Sequence, residues 1–240
     1  MVGPGYRKLP PRHATLAPWN KVAVDLIGPW AVTVGQHKYE FDALTCIDPV
    51  TNLVEIIRLN NRTAHHVAQQ FENVWLSRYP RPNRCIHDNG GEFIGAEFQI
   101  KLQQHGITDV PTTSYNPQGN SICERMHQTV ANVLRTTTQL KPPRNLQDAT
   151  QQVENAIATT VYATRVSVSR TLGTSPGNLV FGRDMFLDVP LLADLVTIRD
   201  RRQQLIDENL QRQNARRREY QYTVGQEVLI KTISPNKLEP

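Results

Sequence analysis

The chain has 240 residues, 39% of them hydrophobic and 20% charged, which is enough apolar surface for one good-sized core and excludes wholesale disorder. Lys and Arg number 27 against 22 Asp and Glu, and the resulting charge of +5 is compatible with a polyanionic partner without proving one. Three cysteines with no CxxC pair exclude a disulfide framework and a cysteine-based zinc site. No run of about 18 apolar residues is present, and the polar start is unlike a signal peptide, so no membrane association is expected and an intracellular protein is.

Residues 1–17 are rich in Pro, Gly and basic side chains without periodicity and read as a linker or arm. From Trp19 the patterns become regular. "NKVAVDLIG", "EFDALTCID" and "TNLVEIIRL" are rich in apolar and β-branched residues and predict three antiparallel strands, the last two separated by an Asp-Pro-Val-Thr-Asn turn. In "AHHVAQQFENVWLSRY" the period changes, because Ala64, Val67, Ala68, Phe71, Val74 and Trp75 recur at helical spacing. "RCIHD" predicts a short strand, "GAEFQIKLQQHG" a helix closed by Gly106, and "ITDVPTT" another strand.

Long helices follow over about Ser121–Leu140 and Leu146–Arg165, the first stopped by Pro142-Pro143. "GTSPGNLVFGR" offers Thr174 or Ser175 as a cap and Pro176 at a first helical position. A charged tract from Ile198 to Tyr220 predicts a helix, and "VGQEVLIKTI" a single strand. The order predicts an α/β layer fold with a mixed sheet.

Three acids stand out. Asp25 lies inside "VAVDLIG", where a carboxylate is costly unless something compensates it; the simpler alternative is an acid at a strand end, satisfied by local amides. Asp88 opens "HDNGGEF", either as a turn residue or as a metal ligand at a strand end with Gly90 and Gly91 leaving room for a phosphate backbone. Glu124 fits a capping box with Ser121. On a helical wheel it also shares a face with His127, Gln128, Ala131 and Arg135, opposite Ile122, Met126, Val130, Val133 and Thr137. That wheel predicts an outward-facing Glu124 and His127. Asp42 and Asp48 are weaker candidates, the second being more simply a turn residue.

Between Asp88 and Glu124 lie 35 residues. With Asp25 on the first strand, this spacing resembles the D,D-35-E pattern of retroviral and retrotransposon integrases. The flanks "PWNKVAVDLIGPW", "HDNGGEF", "YNPQGNSICERMHQTV" and "LGTSPGNLVFGRDM" look like the integrase of long-terminal-repeat retrotransposons of the Ty3/gypsy kind. The likeness runs over residues 18–190, and the linked set is far more specific than any one element.

The resemblance implies an RNase H-like fold, with a five-stranded mixed sheet flanked by helices and a C-terminal helical extension. It implies that Asp25, Asp88 and Glu124 are catalytic and together hold two Mg²⁺ or Mn²⁺ ions, hard cations that suit carboxylate oxygen. It further implies 3′-end processing of the element's DNA, strand transfer into target DNA, action in the nucleus, and a dimer or tetramer. Asn89, Tyr115, Asn116, Gln118, Asn120, His127, Gln128 and Arg135 are the implied DNA contacts; for His127 and Gln128, ordinary solvated helix surface remains the alternative.

Integrases of this kind also carry a His2Cys2 module ahead of the core and a small barrel after it. His13, His65 and His66 do not have that module's spacing, and "VGQEVLIK" resembles only the barrel's first strand, so residues 191–240 read as a helical extension plus the start of a truncated module. The Arg-rich tract within it reads as a solvated connecting helix or as a DNA-backbone contact. A nuclease of the same fold that cuts without joining, and a decayed copy that binds DNA without catalysis, are the competing functions.

Overall fold

The computed structural model describes residues 5–6, 8–14, 16–112, 121–187, 194–221, 223 and 225, with 5–6 and 121–126 described by backbone alone. The strands in chain order are β1 (Gly5–Tyr6), β2 (Lys21–Val34), β3 (His37–Ile47), β4 (Val54–Leu59), β5 (Arg84–His87), β6 (Thr108–Pro111) and β7 (Arg217–Arg218). The helices are α1 (Ala64–Phe71), α2 (Gly91–Ile94), α3 (Ala96–Gln104), α4 (Ser121–Leu140), α5 (Leu146–Val166), α6 (Pro176–Phe181) and α7 (Leu195–Asn214).

The chain divides into two units, one of residues 15–202 and one of residues 1–14 with 203–240. In the smaller unit β1 pairs with β7 in parallel, and the amide of Leu9 donates to Asn214 Oδ1 at 2.7 Å.

The larger unit is built on a five-stranded sheet of order β4-β3-β2-β5-β6. β2 to β3 and β3 to β4 are antiparallel, whereas β2 to β5 and β5 to β6 are parallel. The mixed sheet expected from the sequence is therefore present, with β2 at the seam between its two halves. Side chains alternate across a strand, and both faces of β2 are apolar because both are covered. Val22 and Val24 pack with Leu44, Val67, Phe71, Trp75 and Phe98 on one side. Ala23 and Ile27 pack with Phe41, Val130, Leu134, Val153 and Ile157 on the other. Asp25 follows the parity of Ala23 and so belongs to the face covered by α4 and α5.

Local chemistry sets the helix starts. Thr63 caps α1 by accepting from the His66 amide, Asn145 caps α5 by accepting from Asp148, and Ser175, followed by Pro176, caps α6. Gly106 has a positive φ of 65° where α3 ends, as the sequence predicts.

Two features differ from expectation. Gly28-Pro29 reads as the end of a strand, yet β2 continues to Val34. The register with β3 shifts between Ile27 and Trp30, so an irregularity absorbs the proline and the hairpin runs on. α1 passes into a π-helical turn at Glu72–Leu76, a widening that apolar spacing does not signal.

Candidate active site

β5 pairs with β2 from Lys21↔Arg84 to Ala23↔Ile86. Extrapolated two residues beyond the last pair, that register leads to Asp25 on β2 and to Asp88 just past β5. Asp25 is mid-strand and its side chain is only 13% exposed, whereas Asp88 stands just past the end of β5 and is exposed. The parallel pairing of β2 with β5 thus brings together two acids far apart in the sequence.

Asp88 does open a turn. Its Oδ1 accepts from the Gly90 amide at 3.1 Å, and the Gly90 carbonyl then receives the Phe93 amide as α2 begins. A Cβ on Gly90 would lie 3.0 Å from Asp88 Oδ1 and 2.9 Å from Glu92 Oε1, whereas one on Gly91 would meet nothing within 4 Å. Gly90 therefore keeps the acid uncrowded, and Gly91 borders open space. Asn89 is tied down, its Nδ2 donating to the Thr112 carbonyl at 3.3 Å.

α4 carries Glu124 in its first turns, with the Glu124 side chain outside the described residues. Three residues on, His127 Nε2 approaches Asp25 Oδ2 at 3.7 Å, too long for a hydrogen bond, and Nε2 has no hydrogen-bond partner among the described residues. The outward-facing His127 that the wheel predicts is corrected here, since its side chain is only 19% exposed. Among the described side chains of this helix Val130 and Leu134 are buried and Val133 is only partly so, which rotates the core-facing stripe toward His127. Burial pushes the imidazole down to about 4, so the ring is neutral at pH 7 despite the nearby carboxylate.

Gln128 and Arg135 are exposed and both hydrogen-bond Asn132 Oδ1, at 3.0 and 3.1 Å. A hollow of about 410 Å³ beside them is lined by Gly28, Pro29, Trp30, His127, Gln128 and Ala131. Tyr115, Asn116, Gln118 and Asn120 lie outside the described residues.

The weaker acids have structural roles. Asp48 is fully buried and accepts from the amides of Trp19, Val50 and Thr51, which makes it the organiser of the turn after β3. Asp42 pairs with Arg62 at 2.8 Å. Sequence reasoning assigned no role to His87, which is buried directly before Asp88 and bonded to Asp109; a polar ring closing an apolar strand is the signal that could have found it. Among the described residues no group of three His, Cys, Asp or Glu side chains is gathered as a metal cluster. The carboxylate oxygens of Asp25 and Asp88 are donors of the kind that suits a hard divalent cation, and Asp88 is open to solvent.

No family model matches the chain. Its sequence is similar to retroviral and retrotransposon polyproteins. It is 28% identical over 116 residues to an intracisternal A-particle Pol-related polyprotein of mouse, a match covering 48% of this chain and 13% of that one. It is 30% identical over 115 residues to a retrovirus-related Pol polyprotein from transposon TNT 1-94 of Nicotiana tabacum, covering 47% and 8%. The chain thus corresponds to a small part of these relatives.

In structure it is similar to a chain of the simian T-cell lymphotropic virus intasome in complex with PP2A regulatory subunit B56 gamma. The TM-score is 0.56 at 16% identity, over 79% of this chain and 62% of that one. It is also similar to the HTLV-2 integrase catalytic core domain in complex with magnesium, in a dimeric form, with TM-score 0.51 at 18% identity over 68% and 96%. The fold is that of a retroviral integrase core.

The RNase H-like integrase core inferred from the motifs is borne out at the level of fold and of sequence similarity. In the integrase-core frame the seam of the sheet carries Asp25 and Asp88, and α4 lies against it through His127. Among the described residues no helix is long and apolar enough to cross a membrane.

Proposed function

We propose that the chain is the catalytic core of a retroelement integrase, a polynucleotidyl transferase that trims the 3′ ends of its element's DNA and joins them to target DNA. The observation that supports this reading is the parallel pairing of β2, which bears Asp25, with β5, which leads into Asp88, together with the approach to Asp25 of His127 on the helix that bears Glu124. These three acids would hold two Mg²⁺ or Mn²⁺ ions, and the HTLV-2 core solved with magnesium supports that choice. When bound, such ions neutralise the carboxylates and favour in-line displacement at phosphorus.

The chain's own residues supply the frame. β2 carries Asp25, its neighbour β5 leads into Asp88, and the Gly90-Gly91 turn keeps the approach to Asp88 open. His127, neutral at pH 7, can accept or donate one hydrogen bond beside Asp25 without adding charge. Gln128, Arg135 and Asn89 would contact DNA, as would Tyr115, Asn116, Gln118 and Asn120. In the first reaction water would attack phosphorus in a phosphodiester near the element's 3′ end as the P–O3′ bond breaks, which frees the 3′-hydroxyl and releases the terminal nucleotides with a 5′-phosphate. In the second, the freed 3′-hydroxyl forms a new bond to phosphorus in the target as the target's own P–O3′ bond breaks, so no ATP is consumed. Joining two DNA ends calls for a homo-oligomer, which the dimeric HTLV-2 core supports, and integration into chromosomal target DNA would take place in the nucleus.

The test is the purified chain incubated with Mg²⁺ or Mn²⁺ and a labelled duplex ending in the element's terminal sequence. Cleaved and joined products are expected, and D25N, D88N and E124Q should each abolish both while DNA binding persists. Activity surviving any one of these changes would overturn the assignment; cleavage with no joined product would make the chain a nuclease of the same fold.

A further inference from the structure

His87 is the last residue of β5, and its side chain is 0% exposed. The ring lies among aromatics, with centroids 5.3 Å from Phe93 and 6.0 Å from Phe98. A leucine or phenylalanine would fill that space without a polar cost, so the imidazole has to be explained by what it holds. Nδ1 donates to the backbone carbonyl of Asp88, and Nε2 is hydrogen-bonded to Asp109 Oδ1 on the neighbouring strand β6. The carbonyl can only accept, which makes Nδ1 the donor there, and the Asp109 carboxyl lies against the opposite ring nitrogen.

We propose that His87 and Asp109 are a positioning pair that fixes the peptide at Asp88 and thereby the direction in which the Asp88 carboxylate points. The proposal rests on the reading of Asp88 as a metal-holding acid. Asp109 orients the ring from β6, and the ring holds the Asp88 carbonyl. The Thr112 amide donates to the His87 carbonyl at 2.7 Å, and Asn89 returns a bond to the Thr112 carbonyl at 3.3 Å. The residues on either side of Asp88 are therefore fastened to the end of β6, and the acid's remaining freedom is its own side chain. Groups that orient a metal ligand through hydrogen bonds typically change metal affinity or activity by about 10–100-fold when removed. His87 and Asp109 touch neither DNA nor metal in this scheme; they act through Asp88.

Asp109 is about one-third exposed, so replacing it leaves the aromatic packing intact. The experiment compares the full chain with D109N, D109A and D88N by two readouts: Mn²⁺ binding followed by electron paramagnetic resonance, and hydrogen exchange at the amides of Gly90 and Thr112. In D109A, exchange at both amides should quicken and Mn²⁺ affinity should fall about tenfold. D109N keeps an acceptor oxygen and should fall between D109A and the unaltered chain.

Unchanged exchange in D109A overturns the proposal. So does a lower melting temperature with Mn²⁺ affinity intact, which would make the pair an ordinary packing contact. If the unaltered chain binds no more Mn²⁺ than D88N while D109A still loosens the turn, the metal-site reading of Asp88 fails and the hold of the pair on its peptide is supported.

Discussion

Glu55 is buried on β4, and its Oε1 accepts from both the Tyr79 hydroxyl and the Arg165 guanidinium. Burial, together with the Glu55 carboxylate, pushes the Tyr79 hydroxyl up to about 12. The folded protein therefore holds a proton that the unfolded chain releases near pH 10. The associated stability is complete below pH 10 and is lost as pH rises toward 12. An ultraviolet titration should show one of the 7 tyrosines ionising late, and Y79F should remove that step. Y79F should cost about 1 kcal/mol, and R165A about 3 kcal/mol because it strands a buried carboxylate, both read by denaturant unfolding. None of this is visible in "TNLVEIIRL", because Glu55 lies 24 and 110 residues from its partners. Asp48, whose partners include the amides two and three residues on, is by contrast readable as a turn acid from its own neighbourhood.

Among the elements, β2 depends on Gly28. Its φ is +117°, and an added Cβ would lie 2.6 Å from both the Phe41 carbonyl oxygen and Asp42 Oδ1. G28A should therefore cost about 2 kcal/mol or more, and thermal unfolding would measure it. On α4, Leu134 is 5% exposed against α5 and the sheet, and L134A should cost about 3 kcal/mol. Strands and helices with strong periodicity were legible: Val67, Ala68, Phe71, Val74 and Trp75 are all buried, as their spacing requires. What escaped was what depends on contact between elements. The extension of β2 past Pro29 is secured by its ten-pair ladder with β3, from Ala23↔Ile47 to Val34↔His37, and not by local propensity. The orientation of α4 was misjudged because the wheel took Val133 for the stripe and left out Leu134, a single residue that turns the helix enough to bring His127 to Asp25. The three acids could be picked out from their spacing and flanks; that β2 and the strand leading into Asp88 are neighbours required the register of β2 with β5.

At the scale of the whole molecule, Cys46 and Cys85 are both fully buried on the same face of the sheet, and burial pushes the Cys85 thiol up from its ordinary value. In a C123S background, a thiol-reactive reagent should label neither cysteine in the native protein, and the labelling rate in denaturant should follow global unfolding. Labelling under native conditions as fast as in the unfolded chain would contradict a single cooperative sheet. The parallel contact between β2 and β5 also bears on how the protein is made. Parallel neighbours cannot be joined by a tight turn, so β5 reaches β2 only after β3, β4 and α1 have been synthesised. A nascent chain leaving the ribosome carries first a hairpin that bears Asp25 without Asp88, which arrives after the fourth strand of the sheet. Any DNA-cutting centre that needs both acids is thus silent throughout translation of the early segments and comes into being only when the sheet closes.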